Sequence, residues 1–447
     1  MDKARVRAGV WSLGMSLGMN RTIEMDRTIG MDRTIFHVDV NSAFLSWSAL
    51  KRLQEEPGSV DLRTIPSAVG GDVKTRHGVI TAKSIPAGKM GVRTGEPVVK
   101  ALQKCPQLVL VRPDFETYHD YSCRLMEILQ SFTPVIQQVS VDEAYLDMTG
   151  IVKPDDRAAA QELALQIRQT VFGQLGFTVN VGISTNKLLA KMASDFQKPD
   201  RTHTLYPDEI EEKMWPLPMG ELHGCGRSTA QKLYNVGILT IGDAAGTGQD
   251  TLQSLLGEKA GAYIWRSANG ISTSAVKPER EQAKSVSNER TLAEDVDADN
   301  YDEKGVPVIR ALAEKVAGRL QKSGLEGQTV TLQIKTGDFE RRSTQTVLTE
   351  PTDSAAVITK TALTLGERLL RDGFLEQGIS IRLIGVGVSK LTNKEVHQMD
   401  LFEWEDQVQQ EERERVRRAK EERLGAMMVE VNSRYGKGTL EKGMPGQ

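Results

Sequence analysis

Three cysteines in 447 residues, Cys105, Cys123 and Cys225, are too few and too scattered to frame a fold. Odd in number and without a Cys-x-x-Cys pair, they argue against a disulfide scaffold and read as reduced thiols of a cytosolic protein. Nothing in their spacing suggests zinc. Long apolar runs are missing too. No stretch of about 18 or more apolar residues occurs, so no membrane-spanning helix is expected. A large excess of one charge is also lacking. The formal net charge of -3 argues neither for nor against nucleic acid, since a long enzyme can confine a basic groove to one face while the rest stays acidic. Hydrophobic content is ordinary at 39%, and the length exceeds a single core, implying roughly two to four domains.

What is present begins with a repeat. Met19-Asn20-Arg21-Thr22-Ile23-Glu24 is followed by Met25-Asp26-Arg27-Thr28-Ile29-Gly30 and by Met31-Asp32-Arg33-Thr34-Ile35-Phe36. The unit is far too short for a solenoid. It reads as a duplicated start region, with Met31 as the functional start. Lys3, Arg5 and Arg7 precede a weakly apolar run, a faint echo of a signal peptide without a small-residue cleavage site. Residues 1–30 are expected to be disordered.

Two short acidic clusters carry the chemistry. Phe36-His37-Val38-Asp39-Val40-Asn41-Ser42 and Ser140-Val141-Asp142-Glu143-Ala144-Tyr145-Leu146-Asp147 are strand-like apolar runs that deliver carboxylates. Side by side in one sheet, Asp39, Asp142 and Glu143 could hold two hard divalent cations about 3.5–4 Å apart, as phosphoryl or nucleotidyl transfer requires. Isolated Val-Asp and Asp-Glu steps are otherwise ordinary strand ends or turns. Successive strand residues face opposite sides, so Asp142 and Glu143 can share a site only at a tight hairpin turn or bulge.

Around these clusters the pattern is regular. Asn41 or Ser42 is placed to cap a helix whose first turn holds Phe44 and Trp47. Spacings of three and four among Tyr118, Tyr121, Leu125, Ile128 and Phe132 predict an amphipathic helix ending before Pro134. Residues 157–175 read as a helix, Phe177–Ile183 as a strand, and a Lys-bearing helix follows Asn186. This order suggests an α+β sheet covered on one face by helices. Further on, Val330, Leu332 and Ile334, and then Ile379, Ile381 and Leu383, alternate with polar residues as half-buried strands do. Helical patterns near 306–321 and 355–371 lie between them, so a four-stranded sheet backed by two helices is expected.

VDVNSAF, GVRTGEP, SVDEAYLDMTG and VGISTNKLLAKMASDFQKP, in this order and at these separations, resemble a Y-family translesion DNA polymerase of the bacterial DNA polymerase IV type. The resemblance spans roughly residues 34–392. It implies a right-hand α+β multidomain fold with palm, fingers, a helical thumb carrying helix-hairpin-helix elements, and an α/β little-finger domain. The corresponding ranges are 31–50 and 112–200 for the palm, 51–111 for the fingers, 201–276 for the thumb, 285–392 for the little finger and 393–447 for a tail. It also implies template-directed addition of deoxynucleotides to a primer 3′ end with two Mg2+ ions, during DNA damage tolerance in the cytoplasm. The expected partners are primer-template DNA, a deoxynucleoside triphosphate and a sliding clamp, with no membrane and a monomeric state.

By this resemblance Asp39, Asp142 and Glu143 are the catalytic metal ligands, and Val40 supplies a backbone carbonyl. Phe44 is the aromatic gate that excludes the ribose 2′-hydroxyl, and Lys187 contacts the triphosphate. The fingers depart from the family. Where many members carry Tyr-Glu-Ala-Arg, this chain reads Ala82-Lys83-Ser84-Ile85-Pro86-Ala87-Gly88-Lys89-Met90. Lys83 and Lys89 are candidates for the lost charge, and Ser84 for a hydroxyl. Asn41 replaces a second aspartate often seen two residues after the first.

The segment Leu222-His223-Gly224-Cys225-Gly226-Arg227 resembles a helix-hairpin-helix element, whose Gly224, Gly226 and Arg227 would hold a DNA phosphate on backbone N–H groups. Leu256 to Gly261 reads as a second, weaker hairpin. Lys335, Arg341, Arg342 and Arg382 lie on the polar face of the last sheet, as phosphate contacts or as plain solvated charge. Gln398-Met399-Asp400-Leu401-Phe402 resembles a clamp-binding peptide, with Leu401 and Phe402 as apolar anchors and Gln398 at the rim. Two rivals stay open: a non-catalytic DNA-binding repair scaffold, and a different two-metal enzyme on a palm-like sheet, such as a cyclase.

Overall fold

Alternation of Phe36, Val38 and Val40 with Ile35, His37 and Asp39 makes the first described element, strand β1 (Ile35–Val40), buried on both faces. The computed structural model describes residues 33–71, 78–279, 282–371 and 379–394. The chain divides near Gln282 into two units.

After β1 comes helix α1 (Ala43–Glu55), then strands β2 (Ser67–Gly70) and β3 (Ile80–Lys83). Helices α2 (Ile85–Lys89) and α3 (Val98–Lys104) lead to strand β4 (Val109–Val111). Strand β2 pairs antiparallel with β3 and parallel with β4, giving a small sheet. Ala68, Ile80, Ala87, Val98 and Ala101 pack into one core there, and Leu45 and Ala49 of α1 join Val69 and Ala82 in another.

Helix α4 (Phe115–Gln130) follows, and Asp114 caps it by accepting from Thr117 N at 3.2 Å. Strands β5 (Ile136–Gln138) and β6 (Glu143–Asp147) form a hairpin. Helix α5 (Arg157–Leu175), strand β7 (Val179–Ser184), helix α6 (Lys187–Asp195) and strand β8 (Thr202–Thr204) complete a sheet of order β5-β6-β1-β7-β8. Tyr118, Tyr121, Leu125 and Leu129 of α4 and Ile167 and Val171 of α5 meet Phe36, Val38 and Val181 on one face of that sheet.

Two expectations are corrected. The sheet is not covered on one face alone, because α6 lies against β1 and β7 on the other. Gly182 makes that approach possible, since a Cβ there would sit 2.0 Å from Ala190 O. Nor does Asn41 or Ser42 cap α1 with its side chain. Ser42 adopts a left-handed conformation at φ 50° with no capping bond, and the buried Asn41 side chain serves other partners.

The remainder of the first unit is helical: α7 (Ile210–Lys213), α8 (Arg227–Tyr234), α9 (Ile241–Gly246), α10 (Gln249–Leu256) and α11 (Glu258–Ala268). Their core includes Leu188, Leu189 and Met192, so α6 is buried against the sheet on one side and these helices on the other.

The second unit holds β9 (Ser285–Val296), α12 (Val306–Lys322), β10 (Leu325–Thr336), β11 (Arg341–Thr352), α13 (Ala355–Arg371) and β12 (Ile381–Asn393). The strands form one sheet in the order β11-β10-β12-β9. Val330, Leu332, Ile334, Ile381 and Leu383 are buried, with Ile309, Leu312 and Val316 of α12 and Ile358 and Ala362 of α13. This is the four-stranded sheet with two helices that the alternation predicts. Ile379 precedes the last strand rather than belonging to it.

Candidate active site

Antiparallel pairing places Asp39 of β1 directly opposite Glu143 of β6, and opposite Asn180 of β7 on its other side. Residues so paired project their side chains from the same face. Val139 N and Ser140 N donate to Glu143 O at 2.9 and 3.3 Å, which closes the β5–β6 turn. Asp142 sits inside that turn, free of strand alternation, and its carbonyl accepts from Val40 N at 3.0 Å. The two acidic clusters are therefore joined by main chain as well as by side chains. The Asp142 carboxylate accepts from Ser140 Oγ at 2.5 Å. Asp39 and Glu143 converge, while Asp142 is turned toward Ser140. Among the described residues no group of three or more His, Cys, Asp or Glu is gathered to hold an ion.

Two lysines compensate this charge. Lys191 of α6 lies 3.1 Å from Asp39 Oδ2 and 2.6 Å from Glu143 Oε1, and Lys198 lies 3.1 Å from Asp39 Oδ1. Asp195 accepts from both lysines, at 3.3 and 2.9 Å. Burial raises the Asp39 carboxyl, but the hydrogen bond with Glu143 and the charges of Lys198 and Lys191 outweigh it and hold Asp39 below the usual range. Burial, then the neighbouring Asp39, push Glu143 up to about 7 despite Lys191. The pair behaves as two carboxyls competing for one proton, which Glu143 keeps. Burial lowers both lysines, but the carboxylates more than offset it and raise them.

Beneath the carboxylates runs a layer of buried polar side chains. Asn41 Nδ2 donates to Asn180 Oδ1 at 3.1 Å, and Asn41 Oδ1 accepts from Thr178 Oγ1 and from Asp200 N, each at 2.9 Å. Asn180 Nδ2 donates to the carbonyls of Ser194 and Gln197 at 3.0 and 2.7 Å. These bonds anchor the segment carrying Lys198. Asn41, where an acid was the alternative, is a structural clamp for that segment. His37, fully buried, has its pKa lowered to about 3 by burial first and Lys191 second, so it is neutral.

Phe44 is half-buried on α1 and packs against both the core beneath the five-stranded sheet and the small core beside β2 and β3. Its ring stacks on Tyr118 with centroids 4.5 Å apart and planes at 10°, and meets Phe115 edge-on at 6.4 Å. Tyr118 is in turn tied to Ser48 by a 2.8 Å hydroxyl contact.

The other sequence candidates fall in different places. Lys187 Nζ donates to Gln137 Oε1 at 2.8 Å and to Ser274 Oγ at 3.4 Å, and stands 4.8 Å from the Tyr145 ring centroid. It ties the β5 strand to the segment after α11. The cations joined to the carboxylates are Lys191, one helical turn on, and Lys198, both passed over in the sequence. A lysine inside an otherwise buried run, Leu188 to Ser194, was the available signal for Lys191. Ser84 is spent on the fold: its hydroxyl donates to Ile65 O and caps α2 by accepting from Ala87 N. Lys83 Nζ lies over Gly88, and Lys89 is exposed in the last turn of α2.

In the helical region, Gly224 at φ 83° lets Tyr263 close over it, and Tyr263 Oη donates to His223 O at 3.1 Å. Gly226 precedes α8 without a side-chain cap, and the exposed Arg227 opens the helix. Gly257 joins α10 to α11 at φ 90° in the same manner. Alongside, Lys187, Lys259, Arg266 and Lys277 line a cleft of about 1060 Å³ with Tyr145 and Tyr263. In the second unit, Lys335 and Arg382 flank the exposed Phe339 ring at 4.6 and 4.9 Å, with Arg341 opposite Lys335 in register; Arg342 does not share that face as expected, because it pairs with the buried Ile334. Gln398, Leu401 and Phe402 lie outside the described residues, as do residues 1–30.

Comparison with known proteins agrees over most of the chain. The impB/mucB/samB family matches residues 38–195, its C-terminal domain residues 283–401, and the DNA polymerase-iota thumb domain residues 220–272. DNA polymerase IV of Clostridium acetobutylicum is 39% identical over 369 residues, covering 83% of this chain and 90% of the relative. DNA polymerase IV 1 of Bacillus subtilis is 34% identical over 412 residues, covering 92% of each chain. A solved Y-family DNA polymerase chimera superposes with a TM-score of 0.69 at 24% identity, covering 80% of this chain and 99% of that one.

Proposed function

We propose that this chain, which belongs to the Y-family DNA polymerases and within them to the bacterial DNA polymerase IV group, performs its template-directed synthesis with two divalent cations held by Asp39, Asp142 and Glu143. It is a DNA-directed DNA polymerase of the translesion type, with palm, fingers, thumb and little finger. The observation that carries the metal reading is the register pairing of Asp39 with Glu143 beside a turn bearing Asp142. The donor set suits hard cations: all three groups are carboxylates, and the two that converge already attract two ammonium groups. Magnesium ions there would activate the primer 3′ hydroxyl and stabilise the leaving pyrophosphate.

The chain's own residues have separate tasks. Asp142 would complete the ligand set by exchanging its bond with Ser140 for the cation, and the Val40 carbonyl would add a backbone oxygen. Lys198 and Lys191, released from the carboxylates, are the cations nearest the site for a triphosphate, supplemented by Lys83 and Lys89 from the fingers. Lys187 serves the same face less directly, through Gln137 and the segment after α11. Phe44, backed by Tyr118, bars the 2′-hydroxyl. Gly224, Gly226 and Arg227 grip the duplex backbone without reading sequence, and Lys335 and Arg382 add phosphate contacts. The peptide Gln398, Leu401 and Phe402 docks a sliding clamp. The enzyme works as a cytoplasmic monomer; no helix among the described residues is long and apolar enough to cross a membrane.

Primer extension on a primed template tests the reading. Extension is expected with Mg2+ and is lost on chelation; an inactive wild-type chain would favour the non-catalytic scaffold. Glu143 adds a pH signature. Its carboxyl rises from an ordinary 4.5 to about 7 in the fold, so below about 7 a proton occupies the ligand that a cation needs. The Mg2+ concentration for half-maximal extension is therefore expected to rise about tenfold per pH unit below that point. A Mg2+ requirement flat from pH 8 down to about 6 contradicts it. Separately, changing Leu401 and Phe402 to Ala is expected to abolish clamp binding in a pull-down while leaving distributive extension intact.

A further inference from the structure

His37 is the one member of the buried polar layer with an atom left over. Its ring is 0% exposed, paired in register between Tyr145 and Gly182 and tilted at 58° against the Tyr145 ring, 4.7 Å away. Nδ1 lies 2.8 Å from Ser194 Oγ, whose hydroxyl also reaches Lys191 O at 2.8 Å. Nε2 is buried without a hydrogen-bond partner, and what it faces is Glu143 Oε2 at 3.8 Å. Buried side-chain nitrogens are rarely left unpaired, so this orientation asks for an explanation. Lys191 holds the other Glu143 oxygen at 2.6 Å.

We propose that His37 is a positioning residue for Glu143, donating an Nε2–H hydrogen bond that sets the carboxylate's orientation as a metal ligand. This rests on the two-metal reading above. An ionised carboxylate only accepts hydrogen bonds, so the useful tautomer carries its proton on Nε2. Ser194 then donates to Nδ1 instead of to Lys191 O and holds the ring in place. The chain Ser194–His37–Glu143 thus links the α6 helix to the carboxylate through the sheet. Partners of this outer kind change metal affinity by about 10–100-fold when removed.

The test is Mn2+ binding, measured by titration with the full-length chain on a primer-template whose primer ends in a dideoxynucleotide. His37→Phe keeps the ring's size and is expected to weaken Mn2+ binding by about 10–100-fold with little change in melting temperature. His37→Gln, whose amide N–H reaches the Nε2 position, is expected to recover most of that loss. His37→Asn, whose amide reaches only the Nδ1 position, is expected to stay weak. Wild-type Mn2+ affinity in His37→Phe, or equal affinities in the Gln and Asn variants, overturns the proposal. Asp142→Ala serves as the control. If it loses Mn2+ while His37→Phe does not, only the His37 assignment falls. If Asp142→Ala binds as wild type does, the two-metal reading falls and takes the His37 assignment with it.

Discussion

Asp142→Ala is expected to cut primer extension by about a thousandfold or more, while DNA binding and folding persist. The magnitude follows from the role: a lost ligand removes several kcal/mol of charge stabilisation from the transition state, and about 4 kcal/mol corresponds to three orders of magnitude in rate. The fold should tolerate the change because the Asp142 backbone, through its carbonyl and Val40 N, holds the turn to β1. Its side chain contributes only a local bond with Ser140. Asp39→Ala is a poorer probe of catalysis, since it would remove the most buried carboxylate that Lys191 and Lys198 share and leave them only Glu143 and Asp195. Single-turnover extension alongside thermal melting separates the two effects. Unchanged extension by a folded Asp142→Ala protein would remove the catalytic assignment.

Phe44→Ala is expected to raise ribonucleotide use relative to deoxynucleotide use by roughly a hundredfold. A ring held rigid beneath the sugar rejects an added oxygen by steric overlap, and overpacking of one or two atoms costs about 1–3 kcal/mol, or up to about 150-fold. Rigidity is what the tertiary structure supplies. Phe44 stacks face to face on Tyr118, which is itself fixed by Ser48, and Phe115 abuts its edge. The ring therefore cannot swing away to admit the hydroxyl. The readout is the ratio of incorporation efficiencies for the two sugars in one protein preparation, so any loss of folded protein cancels. An unaltered ratio removes the gate assignment.

Much of this molecule is legible in its local patterns. The short apolar run of β1, the alternation in β10 and β12 and the three-four spacing of α4 identify those elements because each pattern spans only a few residues. The constraint on Asp142 and Glu143 also came from a local rule, that strand neighbours face opposite sides, and the structure puts Asp142 in a turn accordingly. The family motifs marked Asp39 and Glu143, and the sheet makes them direct neighbours.

What the local patterns did not contain is how distant groups meet. Lys191 reaches Asp39 across 152 residues of sequence because Gly182 lets α6 lie flat on β7 and the helical core covers the other side of α6. Asn41 became a clamp for the segment carrying Lys198, and Ser84 a cap for α2 and a brace to Ile65, only once their long-range partners were in place. The sequence by itself determined the family, the elements and the acids, since these are written in short-range periodicity and motif. Tertiary structure alone decided which cations, amides and rings surround those acids. Contacts between residues far apart in the chain leave no mark in its local period.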